Sequence, residues 1–152
     1  MTKEQRLWVG VISRTHVLRG VAGGFTQVCH GKRAPLARMK PGDLFFVYSP
    51  TTEMRGGEVL RAFTAVGVIR DDVVFQFDMG GGFVPFRRAV NWQPRVNEVP
   101  LNSLRSRLQF VKDAGWGLKA RSGHFEISRA DGAVLLDAMG DGLDGLRAHL
   151  GV

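Results

Sequence analysis

Leu44 to Ser49 reads LFFVYS, an aromatic and apolar run with Lys40-Pro41-Gly42-Asp43 before it and Pro50 after it. A short apolar run closed by turn formers at both ends fits a buried strand, here the central one of a sheet. Pro50 is expected to stop it. Upstream, LWVGVI (Leu7 to Ile12) predicts a first strand. Ser13 or Thr15 can cap the short helix HVLRGV, which Gly20 or Gly23 would end. FTQVCH alternates weakly. KRAPLARM predicts another short helix, with Pro35 in its first turn and Leu36 and Met39 facing inward.

Downstream, VLRAFTAVGVI (Val59 to Ile69) predicts a long strand, and Arg70-Asp71-Asp72 a turn into VVFQF. Gly80-Gly81-Gly82 is the most flexible point, a hinge or a tight crossing. PFRRAVNW (Pro85 to Trp92) predicts a strand. LNSLRSRLQF predicts a short helix with Leu101, Leu104 and Leu108 on one side. KDAGWGLKARSG predicts a loop and HFEIS (His124 to Ser128) a last strand. Ser128 to Asp131 has the form of a capping box opening the helix GAVLLDAM, which Gly140 ends. No internal repeat and no βαβ period recurs. The pattern implies an α+β fold, in which about five or six mostly antiparallel strands form a small β-barrel with short peripheral helices. One domain is expected over 1–152, with a core over about 6–140 and a C-terminal tail over 141–152.

A hydrophobic content of 44% excludes a disordered chain. The single cysteine, Cys29, excludes an intramolecular disulfide and a Cys-rich metal site, and fits a reducing, cytoplasmic setting. The apolar run after the N-terminal charges is too short for a signal peptide or a membrane span, so no membrane partner is expected. Net charge is +7, which favours an acidic partner such as nucleic acid. The charge is uneven. Arg6, Arg14, Arg19, Lys32, Arg33, Arg38 and Lys40 fall between Gln5 and Gly42 with no acid among them, whereas Asp131, Asp137, Asp141 and Asp144 face Arg147 near the C-terminus.

Most enzymatic chemistries find little support. His16, His30, His124 and His149 are widely spaced, without HxxH, HExxH or a cysteine pair, so no metal or other cofactor is implied. Cys29 precedes His30 directly, and strand neighbours point to opposite faces, so a local dyad would not form. GVAGG and MGGGF lack the order of a phosphate loop. What remains is recognition: aromatic walls for stacking, polar side chains for a base edge and cations for phosphate. Trp8, Phe25, Tyr48, Phe83 and Trp92 are candidates for walls. Ser13, His16, Gln27, His30 and Ser49 are candidates for edges. Lys32, Arg33, Arg87, Arg88 and Arg121 are candidates for phosphates, and Arg14 joins them on the same basic stretch. Trp8 and Tyr48 also fit as core, His16 as a helix cap, and Arg87-Arg88 as a solvated edge that discourages sheet pairing.

The stretch WVGVISRTHVLRGVAGGFTQVCHGKRAPLARMKPGDLFFVYSP closely resembles the opening of EVE-domain proteins, and the resemblance continues through VLRAFTAVGVI, PFRRAVNW and LQFVKDAGWGLKARSGHFEIS. The resemblance implies a PUA-like pseudo-barrel related to YTH domains, and a pocket for a modified base such as methylated or hydroxymethylated cytosine, or methyladenine. By position, Ser13 matches a serine that lines the site in the YTH group, and Phe25 to Gln27 match an aromatic wall and its neighbour. Ser13, His16, Gln27, His30, Lys32, Tyr48 and Ser49 carry over as pocket residues, joined by Arg87, Trp92 and Arg121. The expected function is non-enzymatic binding of a modified base in DNA or RNA. The partner is then nucleic acid, with a separate nuclease or modification enzyme as a further candidate, and the expected state a monomer or weak dimer. The rival reading is a hydrolase acting on a nucleoside-like molecule in the same pocket, using Cys29, His30, Lys32 and Tyr48.

Overall fold

A computed structural model describes residues 5–150, so both ends of the expected 1–152 span lie outside the described residues. Seven strands form one sheet. They are β1 (Leu7–Val11), β2 (Phe25–Thr26), β3 (Leu44–Thr51), β4 (Val59–Gln76), β5 (Phe86–Trp92), β6 (Val99–Pro100) and β7 (His124–Ile127). Their order is β2-β5-β4-β3-β1-β7, with β6 added on β4. All pairs are antiparallel except β1 with β3. The class is α+β as expected, but the sheet is open: β2 and β7 are its ends and do not pair with each other.

LFFVYS is central because it is buried on both faces. Leu44, Phe46 and Tyr48 enter one core with the C-terminal helices, while Phe45 and Val47 enter a second core with the helices that follow β1 and β2. Phe45 and Phe46 are fully buried, each contributing roughly 1.5–3 kcal/mol. The first helical layer is α1 (Arg14–Gly23) and α2 (Arg33–Arg38). The second is α3 (Leu101–Leu104), α4 (Gln109–Lys112), α5 (Trp116–Ser122), α6 (Arg129–Met139) and α7 (Asp144–Leu150). Leu101, Leu104 and Leu108 are buried as their spacing predicts, although the helix expected there divides into α3 and α4. The expected tail is part of this layer: Leu143 and Leu146 are buried, and His149 bonds the Gly42 carbonyl at 2.9 Å.

Three local expectations are corrected. β3 runs through Pro50 to Thr51, because a register shift between Ser49 and Thr51 absorbs the proline that cannot donate to the ladder. Arg70-Asp71-Asp72 is not a hairpin turn. β4 continues to Gln76 across a bulge between Ile69 and Val74, where the Arg88 guanidinium donates to the Asp71 carbonyl. The hairpin turn lies instead at Gly80-Gly81-Gly82, all three at positive φ. The glycine-rich 112–123 stretch, expected to be a loop, contains α5. The Ser128 cap forms as expected, its Oγ accepting from the Asp131 amide at 3.1 Å. The Asp131 carboxylate caps α4 by accepting from the amides of Gln109 and Phe110.

Candidate functional site

β1 ends at Val11, opposite Tyr48 of the parallel strand β3, which runs on to Thr51, and a cleft of about 500 Å³ opens there. Its walls come from the start of α1, the Gln27–Lys32 segment, the loop after β3 with Met54, the β4–β5 tip with Phe83, and the end of α5. That volume lies within the range of small-molecule sites.

The Gln27–Lys32 wall has an unusual backbone. Cys29, His30 and Gly31 all have positive φ, at 51°, 60° and 84°. A left-handed non-glycine residue costs of order 1–3 kcal/mol and persists only where its surroundings impose it. Here the Gly31 amide donates to the Val28 carbonyl at 3.0 Å, and the Cys29 thiol donates to the Ser122 carbonyl at 3.3 Å. Gly31 also admits close packing, since a Cβ there would lie 2.5 Å from Pro85 Cβ. The turn puts exposed His30 and Lys32 on the cleft.

Beside this turn a chain of side chains runs inward. The Arg87 guanidinium lies between the rings of Phe25 and Phe77, at 3.8 and 4.0 Å from their centroids. Its Nε donates to Gln27 Oε1 at 2.7 Å, and Gln27 Nε2 lies 3.4 Å from His16 Nε2. Burial, then the charges of Arg19 and Arg87, push His16 below the usual imidazole range, so it is neutral near pH 7. Burial also pushes the Cys29 thiol up, against the opposing pull of Lys32 and Arg38. A protonated thiol engaged with a carbonyl is a poor nucleophile. The cleft lining holds the cations Lys32 and Arg121 and no carboxylate. Among the described residues no three His, Cys, Asp or Glu side chains gather as a metal site.

The structure therefore brings Ser13, His16, Gln27, His30, Lys32 and Arg121 together, with Phe83 from the candidates for walls. The others lie elsewhere. Tyr48 is on the opposite face, 4% exposed, against Phe63 and Trp116. Ser49 is fully buried and bonds Thr64 Oγ1 at 2.8 Å. Trp92 donates from Nε1 to the Phe25 carbonyl and packs on Phe45. Phe25 serves Arg87, and its ring borders a small separate recess. Trp8 is core, its Nε1 donating to buried Asp43 at 2.9 Å.

Three of the proposed phosphate contacts are engaged within the protein. Arg14 pairs with Glu98, its Nε 2.8 Å from Oε2. Arg87 is nearly buried between its two rings. Arg88 is fully buried, donating to the carbonyls of Leu36, Met39 and Asp71 at 2.6–3.0 Å. Arg33 is exposed on α2, away from the cleft lining. Sequence reasoning missed Thr51, Met54 and Ser122. They come from the end of β3, the loop after it and the end of α5, and only the topology brings these to the Ser13–Lys32 side of the cleft.

The family model of the EVE domain matches residues 6–138. A UPF0310 protein of Streptococcus sanguinis is 52% identical over 124 residues, covering 82% of this chain and 86% of that protein. The UPF0310 protein YdcG of Bacillus subtilis is 41% identical over 140 residues, covering 91% and 95%. Among solved structures, a hypothetical protein of Leishmania major superposes with a TM-score of 0.58 at 13% identity, covering 90% of this chain and 96% of that one. A YTH domain of Zygosaccharomyces rouxii, in complex with N6-methyladenosine RNA, gives 0.56 at 16% identity, covering 88% and 86%. A mutant ASCH protein of Zymomonas mobilis gives 0.56 at 8% identity, covering 90% and 100%. At these identities the likeness to solved structures concerns the fold, which is PUA-like. With the family model spanning most of its length and close relatives over more than four fifths of it, the chain belongs to the EVE-domain family.

Proposed function

We propose that this EVE domain is a non-enzymatic reader that takes a single modified base of DNA or RNA into the cleft. The observation that carries this reading is the composition of the lining: Ser13, His16, Gln27 and His30 as hydrogen-bonding groups, Lys32 and Arg121 as cations, Phe83 as an aromatic face, and no carboxylate. Such a lining suits a planar, hydrogen-bonding group attached to phosphate. Taking a base out of its stack costs a few kcal/mol, which the aromatic face and edge hydrogen bonds must offset. Methylated or hydroxymethylated cytosine and methyladenine are the base classes proposed.

Binding suits this cleft better than turnover. The Cys29 thiol is held in its neutral form, and the lining carries no carboxylate to orient a histidine. Tyr48, a member of the set that a hydrolase would use, is on the other face of the sheet. Fluorescence anisotropy with oligonucleotides carrying 5-methylcytosine, 5-hydroxymethylcytosine or N6-methyladenine, against unmodified strands at two salt concentrations, tests the reading. A salt-resistant preference for one modified strand is expected. Equal, weak and fully salt-titratable affinity for all strands would reduce the cleft to a basic surface.

A further inference from the structure

We infer that Arg87 is a positioning residue that sets the polarity of the cleft's reading edge. By taking the Gln27 carbonyl oxygen, it leaves the Gln27 amide group as a donor in the cleft wall and holds His16 with its proton on Nδ1. The group read at Gln27 must then carry an acceptor, a carbonyl oxygen or an unprotonated ring nitrogen. This rests on the cleft being a base-binding site.

The orientation of the Gln27 side chain follows from its neighbours. Arg87 Nε can only donate, and it lies 2.7 Å from Gln27 Oε1. With the amide reversed, two donors would face each other at that distance, with Gln27 5% and Arg87 9% exposed. The amide nitrogen therefore faces His16, and because it too can only donate, His16 Nε2 must accept at 3.4 Å. A neutral imidazole that accepts on Nε2 carries its proton on Nδ1. The second amide hydrogen of Gln27 has no acceptor among the described residues, and Gln27 lines the cleft. Arg87 cannot swing away to relax this arrangement, because Phe25 and Phe77 hold both faces of its guanidinium. Phe77 stands at the base of the β4–β5 tip, and Phe83 on that tip reaches the cleft, so one hairpin supplies both the clamp and part of the wall.

Gln27→Glu is the informative substitution. A carboxylate keeps the acceptor for Arg87, replaces the donor by an acceptor, and draws a proton onto His16 Nε2. Nitrogen-15 NMR of the imidazoles should report the Nδ1–H tautomer in the wild type and Nε2–H in Gln27→Glu, with a raised His16 pKa. Arg87→Met should leave the wild-type tautomer only partly populated and also raise the His16 pKa. Oligonucleotides with 5-methylcytosine and with N6-methyladenine should each bind Gln27→Glu about tenfold more weakly than wild type, the loss of one hydrogen bond and its replacement by repulsion. A wild-type Nε2–H tautomer, or a Gln27→Glu protein with unchanged tautomer, overturns the inference, and so does unchanged oligonucleotide binding by that variant. If Arg87→Met fails to fold, Gln27→Glu decides alone. If no oligonucleotide binds the wild type while the tautomers behave as stated, the positioning stands and the base-binding reading fails.

Discussion

Replacing His124 by phenylalanine should stabilise the protein at neutral pH and stabilise it further as the pH falls. His124 is 4% exposed and stacked on Trp8 with ring centroids 4.9 Å apart and 11° between planes. Neither ring nitrogen has a hydrogen-bond partner among the described residues. Burial, then the charge of Arg38, lowers its pKa from 6.5 to about 4. The folded protein therefore resists a proton that the unfolded chain accepts freely. Between pH 6.5 and about 4 the unfolded state binds more protons, so stability falls as the pH is lowered through this window. Each pH unit costs about 1.4 kcal/mol, so the full window removes about 3 kcal/mol. Phenylalanine keeps the stack and removes the titration together with two unpartnered polar atoms, which contributes about 1 kcal/mol already at pH 7. Urea unfolding of both proteins at pH 7, 5.5 and 4 measures the difference. Carboxylates titrate in both proteins and cancel. The difference should widen on acidification by about 3 kcal/mol. A difference that does not change with pH would show that His124 charges freely in the folded protein, and the reasoning would be wrong.

Arg88→Met should cost about 3 kcal/mol or more, read as a lower urea midpoint, because it leaves the buried Leu36 and Met39 carbonyls and the half-buried Asp71 carbonyl without their donor; a loss within the range of an ordinary surface substitution would put Arg88 back among the ligand-facing cations. Lys32→Ala should make the slope of log affinity against log salt for a single strand shallower by about 0.7, and adding Arg121→Ala by about 0.7 more; an unchanged slope in the double variant would place the phosphates elsewhere.

Much of the cleft was legible because it is local. Ser13, His16, Gln27, His30 and Lys32 lie within one acid-free stretch that folds as strand end, helix and turn, so proximity in sequence stood for proximity in space. Tyr48 and Ser49 were misread because the central strand is buried on both faces. Alternation separates Val47 from Tyr48, but a run apolar on both faces does not reveal which side the cleft takes. The Arg87-Arg88 pair defeated pattern reasoning for a related reason. Alternation sends them to opposite faces of β5, one into an aromatic sandwich built from Phe25 and Phe77, the other to the Asp71 carbonyl in the β4 bulge. The partners lie on β2, at the end of β4 and on α2, and nothing within PFRRAVNW announces them.

The placement of charge links these corrections to the proposed function. Acids of the C-terminal layer are matched by nearby cations: Asp137 lies 3.6 Å from Arg107 and 3.2 Å from Arg147. Arg6, Arg14 and Lys119 have Glu126, Glu98 and Asp113 as partners, and Arg88 is spent inside the fold. Lys32 and Arg121 in the cleft, with Arg19, Arg33 and Arg38 on α1 and α2, carry no ion pair among the described residues. Part of the net charge of +7 is therefore free at the cleft and on the helices beside it. A site whose own lining holds no acid adds nothing to oppose that field, so an approaching phosphate chain is drawn toward the cleft mouth. Discrimination must then come from Gln27, His16 and the aromatic face, because the free cations attract every strand alike.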